Sequence, residues 1–186
     1  MKTYQRLRSR EVYRNPFLAV EAHEIVHPSG VAGEHVLIVT PRSSAVVLAD
    51  SDDLLFTRQP RFGAQAEVLE VVKGGADAGE SSLQCAQRET REELGIVAAH
   101  WKELGCLYEI PSLMDSPVDL FFAHGIEHVE AEVEAVESIE LVRVPATTAI
   151  RAAAAGKIED AVTVAALLRY GVMEGILTFN ERARYS

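Results

Sequence analysis

The apolar residues in the first half of the chain fall into short runs that are separated by turn-forming residues. Clusters of Pro, Gly, Ser and Asp stand between the runs, and such clusters are typical of turns. Short runs that are rich in β-branched residues and bounded by turns predict strands. The predicted strands are 16–27, 35–40, 44–49, 53–57 and 64–72. Before them, the residues at 4–12 predict one exposed strand or arm.

A helical pattern begins at residue 81. Inward-facing residues recur there at intervals of three or four, which places them on one side of a helix. These residues are Leu83, Ala86, Thr90 and Leu94. Ser81 or Ser82 is a suitable N-cap, and Gly95 stands where a helix commonly ends. We therefore predict a helix over 81–94.

The rest of the chain repeats the order of strands followed by helices. Strands are predicted near 104–109, 118–125 and 139–144, and helices over 147–155 and 159–170. A chain that is β-rich, helical, β-rich and helical in turn predicts an α+β fold, not a doubly wound parallel sheet. Its 186 residues suit a single core. No uncharged apolar run approaches the roughly 18 residues that a membrane helix needs, so we expect no membrane partner.

Charge is distributed unevenly along the chain. The net charge is −10, whereas the first fifteen residues carry +4, which leaves −14 for the remainder. A body this acidic repels a phosphate backbone, so we expect no nucleic-acid partner. The two cysteines, Cys85 and Cys106, form neither a disulfide framework nor the spacing of a metal site. We therefore expect a reducing, cytoplasmic location.

Three carboxylates share one face of the predicted helix over 81–94. Glu89 and Glu93 are four residues apart, and Glu92 is three residues beyond Glu89. Carboxylates this close repel one another unless a cation neutralises them, and Mg²⁺ prefers oxygen ligands. The alternative is a solvated acidic helix face, and the surrounding residues distinguish the two.

The cluster belongs to a longer pattern, G-x5-E-x7-R-E-x-x-E-E-x-G, which begins at Gly74 and ends at Gly95. This pattern resembles the box of the Nudix hydrolases. The one departure is Thr90, at a position where an apolar residue is usual. The resemblance implies an α/β/α sandwich with a mixed β-sheet. It also implies hydrolysis of a nucleoside diphosphate linked to a further group, with Mg²⁺ or Mn²⁺ as the cofactor.

The resemblance implies roles for individual residues of the box. Glu89 and Glu93 correspond to the principal metal ligands, and Glu92 to a further ligand or a base. The backbone carbonyl of Lys73 corresponds to an extra metal ligand. The remaining fixed residues have structural roles and are Gly74, Glu80, Arg88 and Gly95. Among these four, the arginine and the glutamate are expected to form an ion pair that joins the loop to the helix.

Residues outside the box are similar to one subgroup of this family, the ADP-ribose pyrophosphatases and the ADP-compounds hydrolases (NudE-like). Two arginines lie on the strand ahead of a pre-box glutamate, and a proline lies fifteen residues beyond Ile96. The residues that the resemblance assigns to substrate binding are Arg58, Arg61, Glu70 and Pro111. For the arginines, the alternative is a solubilising charge at a strand edge. An acidic body, however, needs local cations to hold an anionic ligand.

An acidic stretch follows the predicted strand 118–125. In the resembling subgroup a glutamate from this stretch is the general base, and Glu137 and Glu134 occupy the matching place. A general base must lie close to the metals without being a permanent ligand. The alternative is a solvated loop, in which case Glu92 is the leading candidate for the base.

The resemblance as a whole implies a Nudix pyrophosphohydrolase that cleaves ADP-ribose to AMP and ribose 5-phosphate. Diadenosine polyphosphates, NADH or another ADP-linked compound are alternative substrates. A further alternative is a Nudix-fold ligand-binding or regulatory module without turnover, although the intact carboxylate set argues against it. We expect residues 1–40 to form a strand region used in a homodimer, and residues 41–186 to form the hydrolase domain.

Overall fold

A computed structural model describes residues 3–130 and 138–178, and these two segments form eleven strands and three helices. The strands are β1 (Gln5–Arg14), β2 (Ala19–Val26), β3 (Ala32–Val39), β4 (Ser43–Asp50), β5 (Asp53–Arg61), β6 (Ala66–Glu70), β7 (Val72–Gly75), β8 (Ile96–Tyr108), β9 (Met114–Asp115), β10 (Pro117–His128) and β11 (Glu140–Pro145). The helices are α1 (Ser82–Leu94), α2 (Ala146–Ala154) and α3 (Ala161–Met173).

The larger of two sheets has the strand order β11-β5-β4-β10-β8, with β6 paired to β5 and β7 paired to β4. β10 runs parallel to β4, whereas the other pairs of this sheet are antiparallel. Ala45 and Leu120 are register partners on the two central strands, and both are fully buried. The sheet is therefore mixed, as the resemblance implies.

Alternate residues of β4 face opposite sides of the larger sheet. Val46 and Leu48 belong to a core cluster with Ala86 of α1. Val47 belongs to a second cluster, which includes Ile150 of α2 and residues of α3. One helix therefore covers one face of the sheet and two helices cover the other. This arrangement confirms the expected α/β/α sandwich and the α+β class.

The smaller sheet has the order β1-β2-β3-β9 and will be called the N-terminal sheet. Its first three strands are antiparallel and lie within residues 1–40, whereas β9 comes from the second predicted segment and pairs parallel to β3. β1 forms the edge of this sheet, and all ten of its residues are exposed. The division of the chain at residue 40 stays a prediction.

The largest departures from the predicted strands are at β8 and at the predicted strand 64–72. β8 begins at Ile96, well before the predicted start. Only Ile96 and Ala98 are buried in its first half, so no long apolar run marks this part of the strand in the sequence. The predicted strand 64–72 is divided between β6 and β7. The division falls at Val71, whose backbone N–H donates to the hydroxyl of Thr163. None of the helices in the described segments has the length and apolar character that a bilayer crossing requires.

Candidate active site

Local sequence explains where α1 begins and ends. Ser81 is its N-cap and forms a capping box with Gln84, which satisfies the first backbone N–H groups of the helix. Gly95 ends it in the left-handed conformation, at φ 62°. Thr90 is fully buried and donates its hydroxyl to the carbonyl of Ala86 at 2.7 Å. A polar residue at this inward position is therefore satisfied within the helix itself.

Arg88 connects the loop before α1 to the carboxylates of the helix. Its guanidinium donates to both carboxylate oxygens of Glu80 at 3.0 Å and to the carbonyl of Gly75 at 2.8 Å. The same side chain donates to Glu89 at 2.7 Å and to Glu92 at 2.9 Å. The hydrogen bond from Arg88 lowers the pKa of Glu80 and, reciprocally, raises the pKa of Arg88. The expected ion pair between Arg88 and Glu80, which joins the loop to the helix, is therefore present.

Gly74 leaves room for the side chain of Glu89. A Cβ atom added at Gly74 would lie 2.0 Å from the carboxyl carbon of Glu89, a distance that no real contact allows. At the neighbouring Gly75, the nearest atom to an added Cβ is 3.9 Å away, on Pro41. The glycine requirement is therefore specific to position 74, and its reason is the close approach of a carboxylate.

An open cleft of about 680 Å³ brings most of the predicted site together. Glu89, Glu92 and Glu93, which we call the α1 carboxylates, line it from the helix. Lys73 and Arg61 line it from β7 and β5. Residues from three elements, up to thirty-two positions apart in sequence, thus share one surface, with anionic and cationic groups facing the same space.

Arg61 is held in place by Glu70. Two parallel hydrogen bonds join the guanidinium to the carboxylate, at 3.0 and 2.6 Å, and this bidentate geometry is the strong form of the pair. Glu70 is almost completely buried, and Lys73 also approaches it, at 3.5 Å. The hydrogen bond to Glu70 raises the pKa of Arg61, and the charge of Glu93 adds to this. Glu70 is therefore not among the residues that line the cleft, but it orients the guanidinium of Arg61, which is.

The donors in this cleft have the right chemistry for a hard divalent ion. Carboxylate and carbonyl oxygens are the ligands that Mg²⁺ and Mn²⁺ prefer. As the side chains lie, no three His, Cys, Asp or Glu residues in the described segments are grouped to hold a metal ion. Arg88 donates to both Glu89 and Glu92 and so provides the positive charge between them. The residue types fit the ion, and binding requires these two carboxylates to turn from Arg88 toward it.

Two predicted substrate-binding residues in the described segments, Arg58 and Pro111, do not line this cleft. Arg58 donates to Glu140 at 3.0 Å on the exposed edge between β5 and β11. Pro111 lines a separate cavity of about 350 Å³ beside the N-terminal sheet. Glu134 and Glu137 lie outside the described residues. Their assigned roles stay predictions.

Two other side chains of the cleft are not predicted by the sequence pattern. Phe17 is 77% exposed, and its backbone N–H donates to the side chain of Asn15, which holds the turn after β1. Gln59 is a buried polar residue on β5. Both line the cleft together with the α1 carboxylates. No local signal marks Phe17, because only the folded chain brings the N-terminal sheet to the cleft.

A polar cluster that the sequence also did not indicate holds the N-terminus of α1. Arg42 donates to Asp119 through two nitrogens, and Ser82 donates its hydroxyl to the same carboxylate. The hydrogen bond from Arg42 lowers the pKa of Asp119 to about 2. The backbone carbonyl of Arg42 accepts from Ala76 at 2.7 Å, and Ser44 donates to the carbonyl of Ser82 at 2.6 Å. Both ends of the loop before α1 are thus fixed to the sheet.

Comparison with known proteins gives concordant results. The ADP-ribose pyrophosphatase of Bacillus subtilis (strain 168) is 22% identical over 160 residues, which cover 84% of this chain and 86% of that protein. The ADP compounds hydrolase NudE of Escherichia coli (strain K12) is 27% identical over 136 residues, which cover 72% and 73%. A crystal structure of ADP compounds hydrolase matches 95% of this chain and 98% of that one, with a TM-score of 0.82 and 23% identity.

The family itself is shown by a domain match. The NUDIX domain matches residues 39–167, which is well over half of the chain. This range contains the whole box and the three elements, β5, β7 and α1, that carry the cleft residues from Gln59 onward. The structural likeness independently supports the same fold. The chain therefore belongs to the NUDIX domain family.

Proposed function

We propose that this chain is a metal-dependent hydrolase that cleaves the diphosphate of ADP-ribose to give AMP and ribose 5-phosphate. The observation that carries the proposal is the convergence of the α1 carboxylates and Arg61 in one cleft. Carboxylates can hold divalent ions, and an arginine can pair with phosphate oxygens. Divalent ions are general in this family, and Mg²⁺ or Mn²⁺ is the choice that we propose.

Each group in the cleft contributes one part of this reaction. A divalent ion on the α1 carboxylates would neutralise the diphosphate and lower the pKa of a bound water. Lys73 offers its carbonyl as a further ligand. Arg61, oriented by Glu70, faces the same space and can hold a phosphate oxygen in place. Positioning and charge stabilisation are the main tasks of a site that hydrolyses phosphate bonds.

An aromatic side chain supports the nucleotide half of the proposal. Phe17 projects from the turn between β1 and β2 and is largely exposed at the cleft. A base that stacks on this ring would cover it, and an aromatic face accepts any base. The names of the two curated relatives, an ADP-ribose pyrophosphatase and an ADP compounds hydrolase, support adenine as that base.

A substrate panel tests this proposal. ADP-ribose, NADH, a diadenosine polyphosphate and a nucleotide sugar are each incubated with the protein and Mg²⁺, and products are identified by mass spectrometry. We expect the highest kcat/KM for ADP-ribose, with AMP and ribose 5-phosphate in equal amounts. A best substrate among the other ADP-linked compounds would support the second candidate, which the similarity to the Escherichia coli NudE protein favours.

The same panel addresses the non-catalytic alternative. A binding module without turnover would release no AMP from any substrate, at any Mg²⁺ or Mn²⁺ concentration. Binding of ADP-ribose would then be measured by calorimetry. Tight binding without hydrolysis, in a protein with its carboxylates intact, would contradict the proposed enzyme.

Glu137 is our proposed general base. Glu137→Gln should reduce kcat by about 10²–10⁴-fold with little change in KM or metal affinity, since only proton removal is lost. If this variant is nearly silent, Glu134→Gln should show the same signature. If both variants and the double variant retain their rate, the base lies elsewhere and Glu92 is tested next.

We also propose that the chain forms a cytoplasmic homodimer through the N-terminal sheet. Several large apolar side chains on and beside β1 are more than half exposed, namely Tyr4, Leu7, Val12 and Tyr13. Exposed apolar side chains on an edge strand favour pairing with another chain. The +4 charge of the first fifteen residues also complements the −14 charge of residues 16–186 in a second copy.

A further inference from the structure

The first turn of α3 contacts the segment that leads into the box. Asp160, the N-cap of α3, accepts from the backbone N–H of Thr163 at 2.8 Å and from its hydroxyl at 2.7 Å. The other oxygen of Asp160 accepts from the Lys73 ammonium at 2.9 Å. The hydroxyl of Thr163 in turn accepts from the backbone N–H of Val71 at 3.0 Å. Two bonds therefore join α3 to residues 71–73, which are about ninety positions away in sequence.

These contacts are shielded from solvent. Thr163 is fully buried, and the side chains of Asp160 and Lys73 are 14% and 18% exposed. Burial acts against ionisation of Asp160, but the charge of Lys73 and the hydrogen bonds from Thr163 outweigh it, so its pKa is lowered. An ion pair in such surroundings is held in one geometry more firmly than a surface pair.

The contacts continue into the cleft. Lys73 lies between Asp160 and Glu70, at 2.9 and 3.5 Å. Glu70 holds the guanidinium of Arg61 through two hydrogen bonds. Charges thus alternate from Asp160 through Lys73 and Glu70 to Arg61, and the last of these lines the cleft. A displacement at the start of α3 changes the surroundings of both Lys73 and Glu70.

We propose that Asp160 and Thr163 are positioning residues of the active site. They fix residues 70–73, and through this segment they fix the Lys73 carbonyl and the Arg61 guanidinium. The inference rests on the proposed function for its effect on turnover. Because the segment enters the box directly at Gly74, a shift of about 1 Å there would misplace reacting groups, and such shifts cost up to about a hundredfold in rate.

Asp160→Asn separates positioning from simple helix capping. Asparagine caps a helix as well as aspartate does, so the start of α3 is preserved while the ion pair with Lys73 is lost. Glu159→Gln is the matched control, because it removes the same charge one residue earlier from an exposed side chain. Equal melting temperatures of the two variants would show that the fold is retained.

We expect Asp160→Asn to lower kcat/KM for ADP-ribose by about tenfold or more and to raise the Mn²⁺ concentration that half-saturates binding. Glu159→Gln should change neither. Mn²⁺ binding is measured without substrate, by electron paramagnetic resonance. Thr163→Val, which removes the acceptor for Val71, should lower kcat/KM in the same way.

Amide hydrogen exchange provides a readout that does not depend on activity. In Asp160→Asn, the amides of residues 71–74 should exchange faster than in Glu159→Gln, because the segment has lost its anchor. If wild-type protein hydrolyses no ADP-linked compound, the proposed function fails, and the exchange rates still test the positioning. Equal exchange rates and equal Mn²⁺ affinity in the two variants would overturn the inference. If Thr163→Val does not fold, the measurements on Asp160→Asn and Glu159→Gln alone test the inference.

Discussion

The box, residues 74–95, and the edge strand β1 are stabilised in opposite ways. In the box, Arg88 alone contacts two carboxylates of the helix, one of the preceding loop and a backbone carbonyl. All ten residues of β1 are exposed, and its backbone pairs with β2. Polar side chains therefore fix individual atoms in the box, whereas β1 is held chiefly by backbone pairing with one neighbour.

This contrast shows which changes each region tolerates. Where a side chain is fixed by directed hydrogen bonds, a change of one atom moves a functional group. Where a strand is held by backbone pairing and its side chains are exposed, a substitution removes little from the folded subunit. The exposed side chains of such a strand act mainly at contacts with other molecules, such as a second subunit. Changes in the box should therefore alter turnover, and changes in β1 should alter assembly.

The largest effect is expected for Glu93→Gln, which keeps the shape of a cleft side chain and removes its charge. If this carboxylate binds a catalytic cation, turnover should fall by about a hundredfold or more. Turnover is measured as the steady-state rate of ADP-ribose hydrolysis at saturating Mg²⁺. Glu24→Gln, on an exposed residue of the N-terminal sheet, is the matched control and should retain full turnover. A Glu93→Gln protein with normal turnover would remove this residue from the mechanism.

A smaller loss of turnover is expected for Gly74→Ala. The new methyl group would overlap the Glu89 carboxyl group, which must then move by more than 1 Å, and we expect at least about a tenfold lower kcat. Gly75→Ala adds the same methyl group one residue later, where the nearest atom is 3.9 Å away. It should retain nearly normal turnover. Equal activity of the two variants would show that the position of Glu89 does not limit the reaction.

Much of this architecture could be predicted from sequence because its signals are local. The spacing within residues 74–95 alone predicts the helix, its caps and the shared face of the carboxylates. Tertiary contacts leave no such signal. Phe17 reaches the cleft only after the N-terminal sheet has folded against it, and Asp119 meets Arg42 across seventy-seven residues. For the same reason, the sequence predicts Arg58 and Arg61 together, and the structure places only Arg61 in the cleft.

A moderate effect on stability is expected for Asp119→Asn. Its lowered pKa, about 2, means that this carboxylate stabilises the fold above its usual pKa near 3.8 and that the contribution is lost as the pH falls toward 2. Since Arg42 is half exposed, we expect about 1 kcal/mol from this group at neutral pH. Urea unfolding is measured at about pH 5 and about pH 2.5. Between these two pH values, the free energy of unfolding should fall more for the wild type than for Asp119→Asn.

Glu11→Gln is the corresponding control in β1. Glu11 accepts from Arg14 at 2.8 Å, but both side chains are about half exposed or more. Exposed pairs of this kind contribute little to stability. Glu11→Gln should therefore leave the free energy of unfolding nearly unchanged, as measured by urea unfolding at neutral pH. A loss as large as that of Asp119→Asn would contradict the contrast between the two regions.

The smallest effect on the folded subunit, and a clear effect on assembly, is expected from deletion of residues 1–14. Because every residue of β1 is exposed, its removal uncovers part of β2 but opens no core cluster. The deletion should therefore shift the melting temperature little when both proteins are compared as monomers at high dilution. Light scattering at tens of micromolar should show a dimer for the full chain and mainly monomer for the deletion. A monomeric full chain at that concentration would contradict the proposed dimer, and a dimeric deletion variant would place its interface elsewhere.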